Sequence, residues 1–345
     1  MKRILFVNNY DMAKSRKSYL DGNSASHHQF GTSELIETGE YQVDYMLVTP
    51  KGHKNKIFKL LSLFPLWLKL YRQAKKYDLV YGGADFTVDF LGVMKQWSLF
   101  RPQLVAIFYH PPFPLRIKME RFDHLIFISR FACEAMQKAI PKKASMLEFM
   151  QWGPDLTFYQ ELAPTPNCDK EQKELIFISN GKTRRDHESL VAAAEQTGNQ
   201  TIIVSDEQGL PHNYNDKCAY TKIFYQNKPD DTRMVKLLNN CSVLVIPTPA
   251  DEQPLAAIGM TSFVDAIALG MPVIVADNTA YRDIVRNNRL GFVYKASNVE
   301  DLKRTMMQFK ENPGLVTEYG KNALEFGQKN NIEQFSKKLH KLFEK

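Results

Sequence analysis

Short, almost wholly apolar runs recur along the 345-residue chain, each closed by Gly, Pro or polar residues and separated from the next by enough chain for a helix. Ile4-Leu5-Phe6-Val7 is the first, and others lie at 43–48, 79–81, 104–109 and 125–129. Runs without polar alternation suit strands covered on both faces, and strand–helix–strand spacing builds a parallel sheet. The series starts afresh at 175–179 and continues at 201–205, 243–247, 273–276 and 291–294, with helices expected across 188–196, 232–240 and 262–269. Two doubly wound α/β domains follow, a division that also suits the chain length. The polar, proline-containing stretch 159–175 lacks periodicity and is the linker candidate. The charged, helix-patterned run 300–345 is placed to return across the junction.

Several function classes fall away early. With 44% hydrophobic and 24% charged residues the chain is neither collagenous nor disordered. Cys133, Cys168, Cys218 and Cys241 form no CxxC pair and have no paired His spacing, so neither a zinc site nor a disulfide scaffold is signalled, and a reducing compartment fits best. The apolar start is too short for a signal-peptide core, and the most apolar longer stretch, 57–70, is broken by Lys59, Pro65 and Lys69, so neither secretion nor a membrane crossing is expected.

The net charge of +7 is local. Lys51, Lys54, Lys56, Lys59, Lys69, Arg72, Lys75 and Lys76 fall within 51–76, where there is no Asp or Glu. Phe58, Leu61, Phe64, Trp67 and Leu68 give the same segment a broad apolar face. Cations beside Trp and Phe suit an interfacial helix on anionic lipid; a helix packed on a sheet with a solvated basic rim is the other reading. Pro65 predicts two helical pieces. Nucleic-acid binding is disfavoured, because the excess charge sits in one Leu/Phe/Trp-rich segment and no nucleic-acid motif accompanies it.

Ligands of open parallel sheets bind at the carboxyl ends of strands. After 104–109 comes His110, followed by Pro111, Pro112 and Pro114, which fix the backbone beyond the imidazole. It is placed to donate to a sugar hydroxyl or a phosphate oxygen, or to serve only as a structural donor. After Ser179 the segment Asn180-Gly181-Lys182-Thr183-Arg184-Arg185 sets three cations at a strand-to-helix turn. Gly181 permits close backbone approach, and phosphate is the natural partner; a solvated basic turn is the alternative. Gly259, Met260, Thr261 and Ser262 open a helix whose free amides and hydroxyls suit an anion, and Gly270 ends it. Asp265, one turn in, is a ribose-hydroxyl acceptor or a solvated acid near a helix N-terminus.

The stretch 262–276, with Gly259 before it and Tyr281-Arg282-Asp283-Ile284-Val285 and Leu290-Gly291-Phe292 after it, resembles the nucleotide-sugar-binding segment of the group 1 glycosyltransferases (family 4 and relatives). Trp152-Gly153-Pro154-Asp155 is similar to their interdomain Gly-x-Asp segment, and 181–190 to their Gly-Arg…Lys region. The resemblance covers about 152–301 in the right order. It implies a GT-B fold: two Rossmann-like doubly wound domains facing a central cleft. An acceptor-binding domain would span 1–155, a nucleotide-sugar-binding domain 156–325, and a C-terminal helix 326–345 would pack back on the first. It also implies a retaining transfer of a hexose-type sugar from a nucleotide diphosphate sugar, UDP-sugar foremost, with neither metal ion nor cofactor.

By the same resemblance, Lys182 and Arg185 hold the diphosphate with Gly181 and Arg184 beside them. Gly259, Met260, Thr261 and Ser262 form the backbone cradle, Asp265 stands where the family has the second Glu of its Glu-x7-Glu motif, and His110 contacts the donor sugar. The first Glu is replaced by Ala257, with Asp251 and Glu252 nearby at the wrong offset. His27 and His28, ahead of a helix expected over 29–38, are acceptor-side candidates or incidental loop histidines. Segment 51–76 lies in the domain that such enzymes use for lipid-linked acceptors, which strengthens the membrane-surface reading. The expected place is then the cytoplasmic inner face of the cell membrane, with a glycan or lipid-linked acceptor and cell-envelope polysaccharide synthesis as the role. A catalytically silent nucleotide-sugar or glycan-binding subunit and a GT-B sugar-nucleotide epimerase are the rival functions.

Overall fold

The apolar runs form two six-stranded sheets in which every neighbouring pair is parallel. The computed structural model describes residues 1–49, 56–109, 121–171, 174–181, 184–215, 217–225, 230–250 and 257–345, with only the backbone at 56–63 and 208. The chain divides into two compact units, the first made of residues 1–22, 26–151 and 332–345, the second of 23–25 and 152–331.

In the first unit, β1 (Lys2–Asn8), β2 (Tyr41–Leu47), β3 (Leu79–Gly82), β4 (Gln103–Phe108), β5 (His124–Phe127) and β6 (Leu147–Phe149) lie in the order β2-β1-β3-β4-β5-β6. Ile4 stands opposite Val43 on one side of β1 and Leu79 on the other, so the central strand is paired at both edges. Its helices include α1 (Met12–Leu20), α2 (Thr32–Glu37), α3 (Lys56–Ala74), α4 (Asp85–Gln96) and α5 (Arg130–Ala139). Leu5, Val80, Leu104, Ala106 and Phe127 meet Leu70, Val88 and Leu91 in the core. The break expected at Pro65 is absent, since α3 runs through it. A proline inside a helix removes one backbone bond and costs ~3 kcal/mol, but Leu70 and Ala74 are wholly buried and anchor the C-terminal half. The helix expected over 29–38 is a 3-10 turn, Ser26–Gln29, followed by α2, with Gly31 in the left-handed region between them. Among the described residues no helix is long and apolar enough to cross a membrane.

The second unit contains α6 (Leu156–Leu162), β7 (Phe177–Asn180), α7 (His187–Thr197), β8 (Thr201–Ser205), β9 (Thr221–Tyr225), α8 (Asp231–Leu238), β10 (Val243–Ile246), α9 (Met260–Leu269), β11 (Val273–Ala276), α10 (Arg282–Asn287), β12 (Gly291–Tyr294), α11 (Val299–Glu311) and α12 (Gly314–Lys329). Its strand order is β12-β11-β10-β7-β8-β9. Phe177, Ile203, Val243, Val245 and Ile274 pack with Leu190, Leu302, Met306 and Phe309. The chain then returns to the first unit as α13 (Ile332–Phe343), where the Ser336 hydroxyl donates to the Gly31 carbonyl at 3.1 Å.

Two short elements escape an apolar-run criterion. Strand β6 has three residues, and β9 lies at the sheet edge with Lys222, Phe224 and Tyr225 exposed. The described residues of the stretch expected as a linker, 159–171 and 174–175, belong to the second unit instead. Tyr159 and Cys168 are buried, and the Asn167 amide donates to the carbonyls of Leu238 (3.2 Å) and Cys241 (2.6 Å). The polar residues there satisfy backbone groups, so the composition resembles that of a free loop.

Candidate functional site

From β7 the strand order of the second unit runs outward to β8 and β9 on one side and to β10, β11 and β12 on the other. The reversal opens a crevice beyond the carboxyl ends of β7 and β10, where ligands of such sheets bind. Strand β7 ends at Asn180 and is followed by Gly181; β10 is followed by Pro247. The Asp186 amide donates to the Pro247 carbonyl at 3.0 Å and ties the two loops together. The Asp186 carboxylate caps α7, accepting from the Ser189 amide (3.1 Å) and the hydroxyls of Ser189 (2.8 Å) and Ser297 (2.7 Å). His187 is buried between the Ser179 hydroxyl (3.2 Å) and the Gly209 carbonyl (2.7 Å), and burial pushes its pKa down to about 4. It is therefore a neutral strut at physiological pH.

Arg185 lies against two glycine turns. Gly181 has φ +133°, and a Cβ there would stand 2.5 Å from Nη2 and 2.8 Å from Cζ of Arg185. Gly259 has φ +85° and precedes α9; a Cβ there would stand 2.4 Å from Ile246 Cγ2, 2.5 Å from Tyr281 Oη and 3.5 Å from Arg185 Nη2. A side chain at Gly259 has no room, and one at Gly181 would displace the Arg185 guanidinium, which therefore rests against bare backbone there. The Tyr281 hydroxyl donates to the Ile258 carbonyl at 3.0 Å and its ring stacks on Phe263, holding the Gly259 turn. Burial lowers the Arg185 pKa. A guanidinium held partly out of water beside a helix N-terminus attracts an anion more strongly than a solvated one.

Beneath the guanidinium is a buried polar cluster. Arg185 Nη2 donates to the Asn180 carbonyl at 3.5 Å, and the Ser262 hydroxyl donates to the same oxygen at 3.1 Å. The Asn180 side-chain amide donates to Asp265 Oδ2 at 3.4 Å, and the Tyr159 hydroxyl to Asp265 Oδ1 at 2.5 Å. Burial raises the Asp265 carboxyl to about 7 although both hydrogen bonds favour the ionised form.

Of the residues singled out in the sequence, Gly181, Arg185, Gly259, Ser262 and Asp265 meet in this one place, with Met260 buried as the first residue of α9 and Thr261 exposed after it. Arg184 is exposed, at φ +46° in the turn between them. Lys182, His110, Asp251 and Glu252 lie outside the described residues. His27 and His28 belong to the first unit, on the turn Ser26–Gln29, with ring centroids 4.3 Å apart; His27 is wholly buried, which lowers its pKa, and His28 adds to the effect. The sequence gives no role to Asn180, Tyr159 or Tyr281. Asn180 carried a usable signal, as a polar residue ending a buried strand; Tyr159, at the start of a polar stretch, carried none.

Residues 159–326 match the family described as glycosyl transferases group 1. Among solved structures the chain is similar to Anabaena HepE in complex with UDP-glucose, at 14% identity over 100% of both chains with a TM-score of 0.68. It is also similar to the sucrose-phosphate synthase of Thermosynechococcus elongatus, at 14% identity over 100% of this chain and 98% of that one, TM-score 0.71. WaaG, a glycosyltransferase involved in lipopolysaccharide biosynthesis, is 11% identical over 99% of both chains, TM-score 0.61. No curated protein sequence matches the chain. The structural likeness establishes the GT-B fold class.

Proposed function

As a member of the group 1 glycosyltransferases by its residues 159–326, this protein, we propose, moves a hexose-type sugar from a UDP-sugar to a glycan or lipid-linked acceptor in cell-envelope polysaccharide synthesis, with retention at the anomeric carbon. The observation that carries the reading is the Arg185 guanidinium set against Gly181 and Gly259 at the strand-order reversal. A diphosphate fits there: two turns of bare backbone, a helix N-terminus and a desolvated cation converge. UDP-glucose in the similar HepE structure supports the choice of nucleotide, and the lipopolysaccharide role of WaaG supports the choice of acceptor class.

In the proposed reaction the bond from the anomeric carbon to the diphosphate breaks and a bond to the acceptor oxygen forms on the same face. The acceptor proton passes to the departing diphosphate oxygen. Lys182, Arg184 and Arg185 supply the positive charge that meets the leaving diphosphate, a role for which no metal is required. The Gly259–Ser262 turn offers its amides to the phosphates, Asp265 backs the ribose side from the buried cluster with Tyr159 and Asn180, His110 reaches the donor sugar, and the half-buried His28 is the acceptor-side histidine, with the wholly buried His27 supporting it from behind. Segment 51–76 docks the first unit on the anionic inner face of the cell membrane. The exposure of Phe64 and Leu68 beside exposed Lys69, Arg72, Lys75 and Lys76 supports that docking.

Ala257 favours a second reading, a binding subunit without turnover, because the resemblance places a sugar-contacting glutamate at that position. One assay separates the two: the protein is supplied with UDP-, GDP-, dTDP- and ADP-sugars, with and without sugar and lipid-linked acceptors, and free nucleotide diphosphate is scored. Acceptor-dependent release from one donor supports the transferase. Tight donor binding without release under any acceptor supports the silent subunit.

A further inference from the structure

The groups proposed to meet the donor come from separate elements. Arg185 follows β7, Ser262 and Asp265 sit on α9, and Tyr159 sits on α6. Nothing in their own backbones fixes the spacing between the cation and the carboxylate: the Gly181 amide donates to the Val204 carbonyl at 3.2 Å and ties the Asn180–Gly181 peptide to β8, but no such ladder bond reaches α9.

One residue touches all of these elements except α6, which it reaches through Asp265. The Asn180 carbonyl accepts from both Arg185 Nη2 and the Ser262 hydroxyl, while its side-chain amide donates to Asp265 Oδ2. Tyr159 holds the other oxygen of that carboxylate. Asn180 is 8% exposed, so its bonds face little competition from water, and among the described residues its Oδ1 has no hydrogen-bond partner. A buried amide kept with one acceptor unsatisfied, where an apolar strand residue would pack without that penalty, implies a use beyond stability.

We infer that Asn180 is a positioning residue: by anchoring its side chain to Asp265 it fixes the peptide carbonyl that orients Arg185 and Ser262, and so holds the diphosphate-facing and ribose-facing halves of the donor site in one register. The inference rests on the donor-site reading given above and deepens it. The Asn180 side chain touches neither phosphate nor sugar in this scheme; it acts through Arg185. Alanine at 180 leaves the carbonyl and the bond from the Gly181 amide to Val204 in place but removes the link from that peptide to Asp265, whereas a residue of merely structural importance would act on stability and leave the contribution of Arg185 intact.

The test is a double-mutant cycle on the full chain, with Asn180→Ala, Arg185→Lys and the pair, each titrated with UDP by calorimetry and assayed for donor turnover. Arg185→Lys keeps a charge, so binding stays measurable. The expected result is UDP binding weakened on the order of ten-fold by Asn180→Ala, with turnover falling further than KM rises. In the Arg185→Lys background the same change costs less than two-fold, because the geometry it protects is already lost. Equal effects of Asn180→Ala in both backgrounds overturn the inference, as does unchanged UDP affinity in the single variant. Failure of the wild-type protein to bind UDP, GDP, dTDP or ADP overturns the donor-site reading itself and this inference with it, so the two failures are distinguishable.

Discussion

Replacing Asp265 by asparagine isolates the cost of burying its charge. The carboxyl is held at about 7 against an ordinary value of 3.8, with burial outweighing the bonds from Tyr159 and Asn180. A raised folded-state pKa means that the folded chain keeps a proton the unfolded chain releases. The stability tied to that proton is complete below about pH 4 and is lost as the pH rises to about 7. Between pH 5 and pH 8 the unfolded carboxyl gains about 4 kcal/mol from ionisation while the folded one gains between about 1 and 2, so the wild type loses about 2 to 3 kcal/mol. Asp265 is 8% exposed, and screening by solvent removes little of this. Asparagine is neutral at both pH values, keeps an acceptor for the Tyr159 hydroxyl, and offers an amide to Asn180 Oδ1, which otherwise has no partner among the described residues. Urea unfolding of both proteins at pH 5 and pH 8 reads the effect as a difference of differences, in which all other titrating groups cancel. Asp265→Asn is expected to lose about 2 to 3 kcal/mol less than wild type across this interval. Parallel pH dependence in the two proteins would refute a carboxyl raised by burial.

Arg185→Ala is expected to lower donor turnover on the order of 10²-fold in the nucleotide-release assay, and unchanged turnover would remove Arg185 from the reaction. Gly259→Ala forces a Cβ to within 2.4 Å of Ile246 and 2.5 Å of Tyr281 at φ +85°; it should cost ~2–3 kcal/mol in urea unfolding and abolish donor binding, whereas a wild-type midpoint would show that the turn relaxes freely. Phe64→Glu combined with Leu68→Glu is expected to lower co-sedimentation with phosphatidylglycerol vesicles several-fold while leaving UDP affinity unchanged. If wild type binds those vesicles no better than phosphatidylcholine ones, the membrane-surface proposal fails.

The alternation of buried strands and helices was written in local pattern, because an apolar run without polar interruption has few places to go other than the middle of a parallel sheet. The runs at 4–7, 175–179, 243–247 and 273–276 became β1, β7, β10 and β11 with small changes at their ends. Gly259 and the cations after Gly181 were legible for a related reason: a residue that sets its own φ, or carries a fixed charge at a strand end, acts through its own chemistry. Other features depended on partners far away in the chain. The Pro65 helix survives because Leu70 and Ala74 reach a core that the local sequence does not contain, and β9 is a strand because β8 offers it an edge. Tyr159 and Asp265 are 106 positions apart, and Asn180 is 85 from Asp265. Tyr159 looked ordinary in its own window, a tyrosine opening a polar stretch, and the strand-end amide of Asn180 showed its polarity there but not its partner. Periodicity and backbone preference are properties of neighbours in sequence and could be read from the chain. The buried polar cluster is a property of neighbours in space, and only the packing of α6, β7 and α9 brought its members within hydrogen-bonding distance.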